Sequence, residues 1–93
     1  MTASSDYTVV YDLSDDRERR RVDGVMKGWG FRVQKSVFEC RLSRHERKRL
    51  AKELQSLGLE TGAVRIYRVV GTEPLRIGVD RAPELLRAAA YVF

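Results

Sequence analysis

The stretch YTVVYDLSDDRERRRVDGVM, Tyr7 to Met26, carries two periodicities joined at an acidic hinge. Tyr7 to Asp12 is β-branched and aromatic and alternates, which predicts a strand. Val22, Val25 and Met26, continued by Trp29, then recur at helical spacing. That spacing predicts a helix from about Asp15 to Gly28 with one buried stripe, Arg17, Arg20 and Arg21 pointing largely elsewhere. Ser14 offers an N-cap, and Asp15 and Asp16 fall in the first turn, where carboxylates meet the positive end of the helix dipole. Gly28 and Gly30 end the helix.

Outward from this strand–helix unit the alternation continues. FRVQKSVFECRL, Phe31 to Leu42, is extended and long enough for one bent strand or two, with no internal turn signal. Ser43 and Glu46 form a capping-box pattern ahead of Leu50, Ala51, Leu54 and Leu57, the apolar face of a second helix that ends at Gly58. AVRIYRVV, Ala63 to Val70, reads as a further strand. LRIGV, Leu75 to Val79, is a short strand candidate, followed by a helical turn opened at Pro83 and an apolar tail. Strand, helix, long or paired strand, helix, strand is best satisfied by an α+β, ferredoxin-like βαββαβ antiparallel sheet with both helices on one face, plus a C-terminal extra strand. A single domain over residues 1–93 is expected, its core at about 7–79 and its tail at 80–93.

Composition bounds the function. Ninety-three residues at 43% hydrophobic content suffice for one two-layer domain with a modest core, which favours association. No apolar run is long enough to cross a bilayer and no signal-peptide pattern opens the chain, so a soluble, cytoplasmic protein without membrane partners is expected. Cys40 is the only cysteine: no internal disulfide or thiolate cluster can form, and a buried small hydrophobe is its plain reading. The net charge of +5 conceals a block, for residues 17–52 hold thirteen Lys or Arg against four acids. Such a local excess points to nucleic acid or another polyphosphate. No Ser-His-Asp set, Cys-His pair or phosphate-cradling glycine loop is present, and the lone His45 defines no site, so nothing in the sequence points to covalent catalysis. KGWGFRVQ, Lys27 to Gln34, resembles an RNA-recognition signature, but Trp29 continues the helical stripe and is assigned to the core; Arg32 and Gln34 also break the pattern.

Tyr11-Asp12, Asp15-Asp16, Arg19, Arg21, Gly30, Gln34, Ser36-Val37-Phe38-Glu39 and RIYRV at Arg65 to Val69 together resemble the CRISPR-associated protein 2 family of spacer acquisition. The resemblance runs from residue 7 to about 79. Lys35 replaces the aromatic often found between the family's Gln and Ser, and the leader MTASS is unmatched. The resemblance implies a ferredoxin-like homodimer of a kind described as a Mg2+-dependent endonuclease on RNA or DNA, and as a bridge between dimers of the CRISPR-associated protein 1 integrase. It implies Tyr11 and Asp12 as catalytic residues, Asp12 as metal ligand, Arg19, Arg21 and Arg32 as nucleic-acid contacts, and Ser36 and Phe38 as residues shaping the site.

Elementary chemistry agrees in part. Magnesium takes oxygen ligands and often only one or two carboxylates. Asp12 alone is a thin site, which a two-fold axis near the strand tip relieves by adding its copy. The competing reading makes Asp12 an Asx-type turn into the helix. Three functions stay open: a metal-dependent endonuclease, a non-catalytic DNA-binding homodimer bridging integrase dimers, and a toxin-like ribonuclease of similar fold. Two expectations accompany them. Leu75 to Val79 should pair with a strand of the partner protomer, and the basic block should bind nucleic acid in a salt-dependent, sequence-independent manner.

Overall fold

The computed structural model describes residues 3–71 together with 77 and 78. The elements follow in the order β1 (Ser4–Leu13), α1 (Asp16–Met26), β2 (Phe31–Gln34), β3 (Val37–Ser43), α2 (Arg44–Gln55) and β4 (Gly62–Val69). The sheet order is β2-β3-β1-β4 and every pairing is antiparallel. This is the α+β, ferredoxin-like arrangement that the element order predicts.

Strand alternation sorts β1 into two faces. Tyr7, Val9, Tyr11 and Leu13 enter the core with Phe38, Cys40 and Leu42 of β3, Val22 and Met26 of α1, and Leu50 and Leu54 of α2. Both helices therefore cover one face. Phe38, Met26, Leu42, Leu50, Val9 and Val22 are the largest fully buried side chains, each worth about 1.5–3 kcal/mol on burial. Cys40 is buried with them, and burial pushes its thiol up to about 12. Asp6, Thr8, Val10 and Asp12 alternate onto the helix-free face.

Local chemistry moves several boundaries. The N-cap of α1 is Asp15, not Ser14: the Asp15 carboxylate accepts from the backbone N–H of Arg17 at 2.7 Å and of Glu18 at 3.2 Å. Ser14 is still engaged with the segment that leads into β4, its N–H reaching the Thr61 carbonyl at 3.5 Å, so the first free turn starts one residue later. β1 begins at Ser4 and takes in part of the unmatched leader. Helix α1 stops at Met26, whose carbonyl receives the Trp29 and Gly30 N–H groups. The long extended stretch is a hairpin turning at Lys35-Ser36 without Gly or Pro. A side chain supplies the missing signal, because the Arg32 guanidinium donates to the Lys35 carbonyl at 2.6 Å. The capping box at Ser43 and Glu46 forms in both directions, at 3.1 and 2.8 Å. Helix α2 ends at Gln55, and Gly58 follows at φ 64°, a backbone region that favours glycine.

Trp29 leans on the core from the turn after α1, its indole N–H donating to Glu53 at 2.7 Å and Arg49 lying over its ring at 5.6 Å. It does not stand on a strand, so the RNA-recognition likeness has no structural counterpart there. Of the expected strand Leu75 to Val79 only Ile77 and Gly78 are described; its pairing and the tail 80–93 lie outside the described residues. No helix among the described residues is long and apolar enough to cross a membrane.

Candidate nucleic-acid and metal site

The site residues read from the sequence fall on two sides of the sheet. Asp12 is exposed at the end of β1 and pairs with Ala63 of β4 on the helix-free face. Its carboxylate makes no hydrogen bond or ion pair among the described residues, and the helix cap that would have claimed it belongs to Asp15. The backbone around it is tightly held. Glu18, buried on α1, accepts from the N–H groups of Glu60 and Thr61 at 2.9 and 3.1 Å and from the Thr61 hydroxyl at 2.6 Å. The Thr61 hydroxyl, then the Glu60 N–H, hold the Glu18 carboxyl below the usual range. Gly62 then lies so near the Asp12 carbonyl that a Cβ there would collide with it. Asp12 is thus a carboxylate on a fixed strand end, without a partner among the described residues.

Tyr11, one residue earlier, points the other way. It is 3% exposed, stacks on Phe38 with ring centroids 6.3 Å apart, and donates its hydroxyl to Asp23 of α1. Asp23 holds Arg32 with its second oxygen at 2.8 Å, and the Arg32 guanidinium lies 5.0 Å from the Phe38 ring centroid. Burial, then the bond to Asp23, raise the Tyr11 phenol above its ordinary range, so it stays protonated at neutral pH. Burial pushes the Asp23 carboxyl up, but the Tyr11 and Arg32 hydrogen bonds outweigh it and leave it below the usual range. Ser36 is half-buried and accepts the Tyr11 N–H with its carbonyl at 3.1 Å. Tyr11, Arg32, Ser36 and Phe38 thus lie together, apart from the Asp12 carboxylate.

The three arginines separate likewise. Arg19 is half-buried and bound to the Leu13 carbonyl and to Asp16. Arg32 is held by Asp23 and the Lys35 carbonyl. Arg21 is exposed on α1, as are Arg17 and Arg20. Two residues were not among the site residues read from the sequence. Asp23, the acid that ties Tyr11 to Arg32, looks in sequence like any solvated helical acid. Arg65 of β4 is exposed and faces Val10 in the register while Ala63 faces Asp12, so it stands diagonally beside Asp12 on the same face. Such diagonal partners lie about 7–8 Å apart, within reach of a long side chain. Only the register discloses this neighbour.

Among the described residues no three His, Cys, Asp or Glu side chains gather into a metal cage. Asp12 offers one carboxylate, a hard oxygen donor of the kind that Mg2+ takes. That donor fits Mg2+ when two chains bring their copies together, because this ion commonly takes one or two carboxylates and keeps several waters.

Comparison with known proteins follows the same lines. Residues 6–74 match the family model described as CRISPR associated protein Cas2. The chain is 34% identical over 87 residues to the CRISPR-associated endoribonuclease Cas2 3 of Synechocystis, covering 92% of this chain and 95% of that one. It is 42% identical over 82 residues to the CRISPR-associated endonuclease Cas2 2 of Thermus thermophilus, covering 85% and 88%. Identity reaches 46% over 90 residues with the CRISPR-associated endoribonuclease Cas2 1 of Rhodospirillum rubrum, covering 92% and 88%. Among solved structures, a hypothetical protein from Thermus thermophilus superposes with a TM-score of 0.74 at 36% identity, over 88% of this chain and all of the other.

Proposed function

Because the chain belongs to the CRISPR-associated Cas2 family, we propose that it serves CRISPR spacer acquisition as a homodimer with a Mg2+-dependent endonuclease site for RNA or DNA phosphodiesters. The observation that carries the reading is the Asp12 carboxylate, exposed on a fixed strand end and without a partner among the described residues. A carboxylate held for structure would be bonded, as those of Asp15, Glu18 and Asp23 are.

In this reading two chains stack through their helix-free faces, and Asp12 with its two-fold copy holds the ion. Bound Mg2+ supplies Lewis-acid polarisation of the phosphoryl group and an acidified water. Arg65, beside Asp12, orients a non-bridging phosphate oxygen and offsets its charge. Tyr11 acts at one remove, anchoring β1 from the core side. Exposed Arg17, Arg20 and Arg21 attract the polyanion from a distance.

The second reading is a non-catalytic subunit that binds duplex DNA and joins CRISPR-associated protein 1 integrase dimers. The exposed cations of α1 and α2, separate from Asp12, support it, since binding then needs no acid. Cleavage of single-stranded RNA and duplex DNA, with Mg2+ or a chelator, by wild type and Asp12→Asn separates the two. Metal-dependent cleavage lost in the variant, with duplex affinity kept, is the expected result. No cleavage by the wild type would transfer the assignment to the bridging role, and equal cleavage by both would remove Asp12 from the site.

A further inference from the structure

One cross-strand row traverses the middle of the sheet on its helix-free face. Phe31 of β2 opposes Glu39 of β3, Glu39 opposes Thr8 of β1, and Thr8 opposes Tyr67 of β4. The ends are half-exposed aromatics, Phe31 at 47% and Tyr67 at 49%. The centre is the reverse: Glu39 is 3% exposed and Thr8 9%. Neither Glu39 carboxyl oxygen, nor the Thr8 hydroxyl, has a hydrogen-bond partner among the described residues.

A buried carboxyl without a donor tolerates its neutral form and resists its ionised one. Burial, with the Asp6 charge adding to it, pushes Glu39 up to about 7. Among the described residues the surrounding charges do not relieve it. On β1 the face carries Asp6 and Asp12, on β3 Arg41, and on β4 Arg65 and Tyr67; β2 contributes none. Arg41 is already paired with Asp6 at 2.9 Å. His45, on α2, belongs to the opposite side of the sheet.

The row reads aromatic, polar, polar, aromatic, so a copy turned by a two-fold axis lays aromatic on aromatic and polar on polar. The row itself carries no cation to meet a phosphate, which argues against nucleic acid as its occupant. We propose that, in the pair stacked through this face, the Glu39 carboxyl at the centre of the row must carry its proton for the two copies to stay together. This rests on the homodimer reading above and adds its regulation. A second copy on the row removes the remaining route to water, so an ionised Glu39 costs more in the pair than in the single chain.

Sedimentation equilibrium of the full chain at about pH 6 and about pH 8.5, at constant ionic strength, tests it, since aspartate, arginine and tyrosine side chains ordinarily titrate outside that window. The dissociation constant should rise roughly tenfold or more at the higher pH, and by less than about twofold in Glu39→Gln. Phe31→Ser with Tyr67→Ser should weaken the pair at both pH values. Dilution calorimetry of the wild type near about pH 7.5, in buffers of different ionisation heat, should show protons released on dissociation, and it decides the matter even where Glu39→Gln fails to fold. A dimer whose affinity is constant or rises with pH, with no proton release, overturns the gate and leaves the homodimer standing. A dimer untouched by the double aromatic variant takes the row out of the interface and overturns the proposal. A chain monomeric at both pH values overturns the homodimer reading and this proposal with it.

Discussion

Replacing Tyr11 by Phe removes one oxygen and nothing else from the core, which makes its cost readable. The lost hydroxyl donates to Asp23, whose other oxygen keeps Arg32 at 2.8 Å. A hydrogen bond to a charged partner contributes about 1.5–3 kcal/mol. Asp23 is half-buried and retains Arg32, so water recovers part of the loss and about 2 kcal/mol is expected. The ring stays and its stack on Phe38 persists, hence no cavity is added. For a domain of this size that loss lowers Tm by roughly 8–16 °C. Urea unfolding at neutral pH and fixed protein concentration, followed through Trp29 fluorescence, should show a lower midpoint with an unchanged m-value. In an Asp23→Asn background the same replacement should cost about 1 kcal/mol less, because the pair is coupled. Metal-dependent cleavage should survive in Tyr11→Phe, since the hydroxyl is turned away from Asp12. A stability loss below about 0.5 kcal/mol, or loss of cleavage at wild-type stability, would refute the reasoning and return Tyr11 to direct work on the substrate.

Three further outcomes are expected. The Glu39 carboxyl stands near 7 in the fold against 4.5 when unfolded. Its neutral form is therefore favoured by folding: stability is complete below about pH 4.5 and falls as pH rises through about 7, by at most about 3 kcal/mol. Glu39→Gln should flatten that decline in chemical denaturation between about pH 5 and 8. Ser43→Ala removes a capping box closed in both directions and should cost about 1 kcal/mol, read as a lowered urea midpoint. Arg20→Glu with Arg21→Glu, both exposed on α1, should reduce the slope of log affinity against log salt for duplex DNA by about two if each meets one phosphate, with folding intact. Arg19→Glu should instead destabilise the fold in the same denaturation assay, because Arg19 closes the end of β1 against Leu13 and Asp16.

The elements and their order were legible from residues alone, because periodicity and capping act over a few neighbours along the chain. Val22, Val25 and Met26 announce α1 through their spacing, Ser43 and Glu46 announce α2 through reciprocal bonds three residues apart, and β-branched alternation announces β1. The basic block is a local count and was visible for the same reason, whereas Asp12 stood out only through the family resemblance, since its own residues equally suit a turn. What needed the tertiary structure was every relation across strands. The hairpin turn at Lys35-Ser36 has no Gly or Pro, since a bond from the Arg32 side chain replaces turn chemistry. The cap moved from Ser14 to Asp15 because Thr61, far along the chain, holds Ser14. Tyr11 and Asp12 are adjacent in sequence and opposite in space, since the pleat sends neighbours to different faces. The link between Asp23 and Arg32, the diagonal between Arg65 and Asp12, and the buried acid at the centre of the open face all depend on register. A one-residue slip would reverse each of them. Register is set by the packing of Val9, Phe38, Leu50 and their neighbours together, and no local stretch contains it.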